Sequence, residues 1–371
     1  MGAKISKKHQ FVLYALMEYL KKLNKRFKGQ PLEAMRKQIK VKCIFDVAED
    51  EPDGEHLKRI LDERWTGFLK LKSHLKKLGL VFVSDNPDII LCSNNNANKI
   101  KKIPFIINER KDGSSLIDKK NLKNPNCLAV FKNHILRPKS LNNQPTIANR
   151  YHCKIISDFH ESKDFELERE EAYTDEELKK IKCVIWDIFH SPISNKFKKL
   201  RSTEINFSME REIDVLSCLS HSHTIDLIRW HRKKAIQSIN DIKEIKSVTE
   251  NIYGKDYYNA LLNAKIIISP WGYGEYCYRD VEGMLAGAVI IKPDTSFVET
   301  IPDIYQNNIT YVPCKPDFSD LKEKVYEILN NWNDYKEMRI KARKMLVDVG
   351  DEEEIAKQFV KNLKEVLKIN E

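Results

Sequence analysis

The chain has 371 residues, 42% of them hydrophobic and 32% charged, which suits two domains of about 150 residues and excludes a wholly disordered or membrane-embedded protein. Its formal charge of +10 is confined to one end: residues 1–42 hold 12 Lys/Arg against two Glu, and the remainder balances at 52 basic and 52 acidic residues. A neutral body argues against a nucleic-acid enzyme, and the arm is left to attract polyanions, either nucleic acid or anionic headgroups of a membrane.

Residues 1–40 form that arm. Phe11, Leu13, Tyr14, Leu16, Met17 and Leu20 share one face of a predicted helix followed by a dense basic stretch. Such a helix either packs on its own domain with a solvated basic face or docks reversibly on an anionic membrane. The start "MGAKIS" also fits the N-myristoylation pattern M-G-x-x-x-[ST]. Without a cleavable signal peptide or an apolar run near 18 residues, the expected location is cytoplasmic, at most peripheral on a membrane. Eight cysteines, with no C-x-x-C pair, read as free thiols in a reducing compartment.

A strand–helix alternation follows. "VKCIFDV", "LVFVSD", "PDIILCS", "KIPFIINE" and "NCLAVFKN" are predicted strands, with a helix over residues 56–79. The polar loops "SNNNANKIKK", "NERKDGSS" and "HILRPKSLNNQP" are expected to border a cleft at the strand ends. From residue 151 to about residue 206 the pattern turns charged and irregular; a solvated helix and a last strand at "CVIWDIFHSPI" are expected there, with a domain junction over 195–208.

A second α/β unit begins with the strand "EIDVLSCLS" and a helix from Thr224 and Asp226. "YYNALLNAKIIISP" runs from helix into strand, "AVIIKP" and "ITYVPC" are further strands, and three amphipathic helices close the chain. The expected fold is α/β: two Rossmann-like lobes in tandem, over residues 41–205 and 206–348, with a trailing helix over 349–371.

The densest chemistry lies in "SPWGYGEYCYRDVEGMLAGAVIIKP", Ser269 to Pro293. A buried strand ends at Pro270, a glycine-rich loop follows, and "RDVEGMLAG" has helical spacing that puts Arg279 and Glu282 on one face. Gly272, Tyr273 and Gly274 form the loop where open α/β sheets bind ligands, and amides at the next helix N-terminus suit phosphate. Arg279 adds a forked cation, and Glu282 can accept from two ribose hydroxyls. Together these parts describe a nucleotide-diphosphate site.

The order of strand, Ser-Pro, Gly-x-Gly-Glu, Arg-x-x-Glu and Gly287 before another strand resembles the donor-binding segment of GT-B-fold glycosyltransferases, especially exostosin-like and lipopolysaccharide-type enzymes. The likeness covers about 40 residues, from Leu261 to Thr300. It implies a nucleotide-sugar donor on the C-terminal lobe, an acceptor on the N-terminal lobe, a C-terminal helix crossing back, and chemistry without a bound metal. By the same resemblance Glu282 binds the ribose, Arg279 the diphosphate or sugar, and Glu275 lies near the transferred sugar. Retaining members often separate two glutamates by seven residues, whereas six lie between Glu275 and Glu282, so stereochemistry stays open.

Transfer through an oxocarbenium-like state requires neutralising the leaving phosphate and activating an acceptor hydroxyl. Ser220, His221 and His223 are candidates for phosphate or sugar contacts, against ordinary helix capping. Lys292 either meets the donor or is a solvated strand-end lysine, and Glu299 either borders the base or ribose or starts a helix. For the acceptor base, Asp46, Glu109, Asp112 and His134 are candidates in loops of the first lobe. Trp271 either stacks on a base or sugar or belongs to the core. The leading expectation is a glycosyltransferase extending a surface glycan or lipid-linked saccharide; the rivals are a nucleic-acid-binding protein using the arm and another nucleotide-sugar enzyme, such as an epimerase.

Overall fold

The structure is a computed structural model that describes residues 38–44, 71–100, 102–109, 113–115, 117–162, 164–169, 171–185, 194–220, 224–349 and 352–369. Residues 1–37 of the basic arm, Asp46, Asp112, His221 and His223 lie outside the described residues.

The first sheet contains β1 (Ile39–Ile44), β2 (Leu80–Phe82), β3 (Ile89–Cys92), β4 (Phe105–Asn108), β5 (Cys127–Lys132) and β7 (Ile181–Cys183), in the spatial order β2-β1-β3-β4-β5-β7. All its pairings are parallel. β3 and β4 are buried along their whole length, as expected of apolar runs covered on both faces. Along β4 the side chains alternate between two cores: Ile106 packs with Leu91 and Phe131 on one face, and Phe105 and Ile107 with Leu122 and Leu178 on the other.

The second sheet contains β8 (Ile213–Leu216), β9 (Ser247–Val248), β10 (Ala264–Ile268), β11 (Val289–Pro293) and β13 (Val312–Cys314), ordered β13-β11-β10-β8-β9, again all parallel. In both sheets the first strand lies between the second and the third, the doubly wound arrangement whose strand order reverses beside the first strand. In the second sheet that switch point falls between the ends of β8 and β10.

The helices used below are α1 (Tyr151–Phe159), α2 (Ser194–Ser202), α3 (Asp226–Asn240), α4 (Gly254–Asn263), α5 (Tyr278–Leu285), α6 (Leu321–Asn330), α7 (Lys336–Asp348) and α8 (Glu352–Leu367). α5 packs tightly on its sheet because Gly283 has no side chain: a Cβ there would lie 2.4 Å from the Ile290 side chain and 2.7 Å from that of Ile267. Gly287, at φ +71°, ends the helix and turns the chain into β11.

Connections between the sheets include a helix and a strand pair. α8 returns to the first sheet, where Phe359 meets Phe131 edge-to-face with centroids 5.9 Å apart. A short antiparallel pair, β6 (His134–Leu136) with β12 (Val298–Thr300), links the strand ends. These two strands differ from expectation: "HILRPKSLNNQP" begins as a strand rather than a polar loop, and Glu299 pairs in register with Ile135 rather than starting a helix. Three-residue strands are held by their cross-lobe partner, and no local periodicity announces them.

The charged stretch after residue 160 also departs from expectation. Among its described residues only Asp175–Lys180 is helical, opened by a capping box in which Thr174 and Glu177 bond each other's backbone. The preceding α1 is amphipathic, and it packs against α3 and Trp271 of the second unit through Cys153, Ile156, Leu227 and Ile228. All eight cysteines are free. No helix among the described residues is long and apolar enough to cross a membrane.

Candidate functional site

The segment Ser269–Pro293 lies at the carboxyl end of β10, beside the switch point of the second sheet. Its loop is fixed from within by Gly272, whose N–H donates to Gly274 O at 3.1 Å. α5 is capped by Cys277, whose N–H donates to the Asp280 carboxylate at 3.1 Å. Arg279 and Glu282 therefore occupy the first two turns of α5, as the spacing predicts.

A third residue joins them that sequence reading missed. Arg232, on α3, crosses the glycine loop so closely that a Cβ on Gly272 would lie 2.9 Å from its Nη2. Its Nη1 donates to Ser220 O at 2.9 Å, tying it to the end of β8. Burial, followed by the neighbouring Arg279 guanidinium, lowers the Arg232 pKa. The Nε atoms of Arg232 and Arg279 are both buried without a hydrogen-bond partner. Two guanidiniums held together in a partly buried place repel one another until an anion arrives. In sequence Arg232 reads as one cation of "RWHRKK", and only the fold carries it over Gly272. The glycine's role shifts accordingly, because the group that approaches it is Arg232.

Glu282 is buried, and Tyr257 of α4 donates to its Oε2 at 2.6 Å. Burial, then the Glu282 charge, pushes the Tyr257 phenol far above its ordinary range, so it stays a donor at any working pH. Cys218 lies near both Arg279 and Glu282; burial is the main reason its thiol pKa is raised. Arg232, Arg279, Glu282, Tyr257 and the β8 end at Cys218–Ser220 thus gather at one place. Ser220 is present there through its backbone, with an exposed side chain.

Lys292 is not a solvated strand-end lysine. It is fully buried, with its ammonium 3.1 Å from Asp280 Oδ2 and donating to Ser269 O at 3.4 Å. Asp280 also accepts from the Ser269 hydroxyl and, at 2.5 Å, from Tyr305. The Lys292 charge is therefore spent inside the protein, fastening α5 to β11. Trp271 is likewise fully buried: it stacks on His231, donates to Thr295 Oγ1 at 2.9 Å and belongs to the core. Tyr273 is exposed, its hydroxyl 3.3 Å from Thr224 Oγ1 and its carbonyl bonded by Arg150 Nε at 2.7 Å.

Glu275 is fully buried and faces the first sheet. Its Oε2 accepts from Ser114 N at 2.9 Å and its Oε1 from Ser114 Oγ at 2.6 Å. His152 Nδ1 lies 3.1 Å from Oε1, an ion contact outside hydrogen-bond alignment, and His134 Nε2 lies 3.8 Å from Oε2. Burial works against the Glu275 charge, but His152, His134 and Ser114 outweigh it and hold the carboxyl well below its usual range. Burial likewise opposes a charged His152, and Cys153 and Glu275 override it, raising its pKa to about 10. A sugar cannot reach this carboxylate as it stands.

Glu109 and His134 are both buried at the carboxyl ends of β4 and β5. Beside them the Asn108 side chain, also buried, has neither amide atom hydrogen-bonded. Among the described residues no three His, Cys, Asp or Glu side chains meet as a metal site requires.

No protein-family model and no curated protein matches the sequence. Solved structures resembling it include the Anabaena protein HepE in complex with UDP and glucose, at 11% identity and a TM-score of 0.46, covering 88% of this chain and 100% of that one. A glycosyltransferase from Rickettsia africae is similar at 12% identity and 0.44, covering 90% and 99%. The UDP-N-acetylglucosamine 2-epimerase described from Listeria monocytogenes is similar at 9% and 0.43, covering 90% and 98%. The two doubly wound parallel sheets and the C-terminal helix crossing back to the first are the arrangement expected of a GT-B fold.

Proposed function

We propose that the protein is a glycosyltransferase that moves a sugar from a nucleotide-sugar donor to a hydroxyl of a glycan or lipid-linked saccharide. The observation that carries this reading is the convergence of Arg232 and Arg279 beside Glu282 at the switch point of the second sheet. In this reading residues 206–348 are the donor lobe and residues 41–205 the acceptor lobe, with a cleft between them. The two guanidiniums and the start of α5 take the diphosphate, and they neutralise the charge that grows on it as the glycosidic bond breaks. Glu282, oriented by Tyr257, accepts from the ribose hydroxyls. This chemistry needs no metal, since arginine and backbone N–H groups do the neutralising.

The acceptor hydroxyl would enter at the ends of β4 and β5, where the unbonded Asn108 amide supports a polar ligand and Glu109 or His134 is within the same region to take the proton. The basic arm would hold the enzyme against an anionic membrane carrying the acceptor.

A thermal-shift screen against UDP, GDP, CMP and ADP and their sugars tests the donor site, because a ligand at 100 times its Kd stabilises by about 2.7 kcal/mol. At least one nucleotide should raise Tm by several degrees, and Arg279→Ala and Glu282→Ala should reduce the rise at the same ligand concentration. No response to any of them would remove the donor reading.

A further inference from the structure

The Glu275 carboxylate draws all its named polar partners from the first unit: Ser114 twice, His152 and His134. The start of α1 grips the same loop by its carbonyls, His152 Nε2 at 3.2 Å from Gly272 O and Arg150 Nε at 2.7 Å from Tyr273 O. Ser115 closes the ring, accepting from Tyr151 N at 3.1 Å and donating to Asn149 O at 3.2 Å. His152 thus faces a carbonyl with one nitrogen and a carboxylate with the other; both groups only accept, so the ring carries two N–H groups and a charge. Three residues of the loop, Gly272 and Tyr273 through their carbonyls and Glu275 through its side chain, are each held from across the sheet boundary.

We propose that Glu275 is a positioning residue: it fastens the glycine loop of the second unit to Ser114 and the start of α1, and it does not touch the transferred sugar. The role of that loop in donor binding rests on the reading above, whereas the fastening rests on the contacts alone. A loop fixed this way presents the start of α5 and Arg279 in one geometry. Occupation of the donor site is thereby communicated to the Ser114 turn, beside the strand ends where the acceptor would lie.

The test uses the full chain with Glu275→Gln, Glu275→Ala and Ser114→Ala. Probes are whichever of UDP/UDP-glucose, GDP/GDP-mannose and ADP/ADP-glucose stabilises the wild type. Calorimetry should give a sugar-nucleotide to nucleotide affinity ratio within twofold of wild type in Glu275→Gln and Ser114→Ala. Amide hydrogen exchange at Ser114 and across residues 149–152 and 272–275 should quicken about tenfold in Glu275→Ala. Nucleotide binding should slow exchange at the Ser114 amide in the wild type and leave it unchanged in Glu275→Gln. A tenfold fall in the affinity ratio in Glu275→Gln would make Glu275 a sugar contact and overturn the proposal. Unchanged basal exchange at Ser114 in Glu275→Gln and Ser114→Ala, which are conservative enough to fold if Glu275→Ala does not, would overturn the fastening. If no probe binds the wild type, the donor reading fails, and basal exchange still decides the fastening.

Discussion

Lys292 and Asp280 form an ion pair, 3.1 Å apart, in which neither side chain is exposed to solvent. Removing one member of a buried pair leaves an uncompensated charge, at a cost of about 3–5 kcal/mol. Lys292→Met should therefore lower stability by that amount in urea denaturation. The double variant Lys292→Met with Asp280→Asn should recover part of the loss, because the stranded carboxylate is gone. A double variant no more stable than Lys292→Met would show that Lys292 supports the fold in some other way.

In the proposed function Arg279 and Arg232 stabilise an anion, and without one they disfavour each other. Arg279→Ala should weaken nucleotide binding about 10- to 100-fold, from hydrogen bonds to charged groups worth about 1.5–3 kcal/mol. The unliganded variant should be no less stable than the wild type, since one repulsive neighbour has been removed. Paired calorimetry and thermal denaturation separate these effects, and an equal loss of both would make Arg279 structural.

Glu282 is assigned to the ribose, so the sensitive comparison is between a ribonucleoside diphosphate and its 2′-deoxy form. The wild type should prefer the ribonucleotide about tenfold, and Glu282→Ala should bind the two alike. Tyr257→Phe, which removes the 2.6 Å hydrogen bond without touching the ligand, should show a smaller loss of discrimination.

The charge on His152 makes stability depend on pH in a definite direction. Its pKa rises on folding from 6.5 to about 10, so its contribution is full below about pH 6.5 and lost as pH climbs through about 10. The stability gap between wild type and His152→Gln should be widest near pH 6 and narrow steadily between pH 7 and 10. Glu275 acts in the opposite sense: its depressed pKa gives stability above the ordinary carboxylate range that disappears only in strong acid.

Gly283→Ala should cost about 1–3 kcal/mol, since its Cβ would overlap Ile290 and Ile267 across the α5–sheet interface. A neutral result would mean that α5 can shift away from β10 and β11.

The sequence alone determined the elements whose signal is local. Apolar runs announced β3, β4, β10 and β11, because strands covered on both faces need no alternation. Helical spacing placed Arg279 and Glu282 together on α5, and the glycine loop marked the strand end proposed to bind the donor. Tertiary structure decided what depends on distant partners. β6 and β12 exist only as a pair 162 residues apart at Leu136 and Val298, so neither carries a pattern of its own. Arg232 reached the site because α3 crosses Gly272, a proximity that no spacing in "RWHRKK" encodes. The sequence leaves Lys292 and Trp271 open to a ligand-facing role, and the resemblance puts Glu275 near the transferred sugar, yet each is fully buried with partners inside the protein. A residue's type fixes which bonds it can make; the fold fixes which partner arrives first, and for these three the partner is the protein itself.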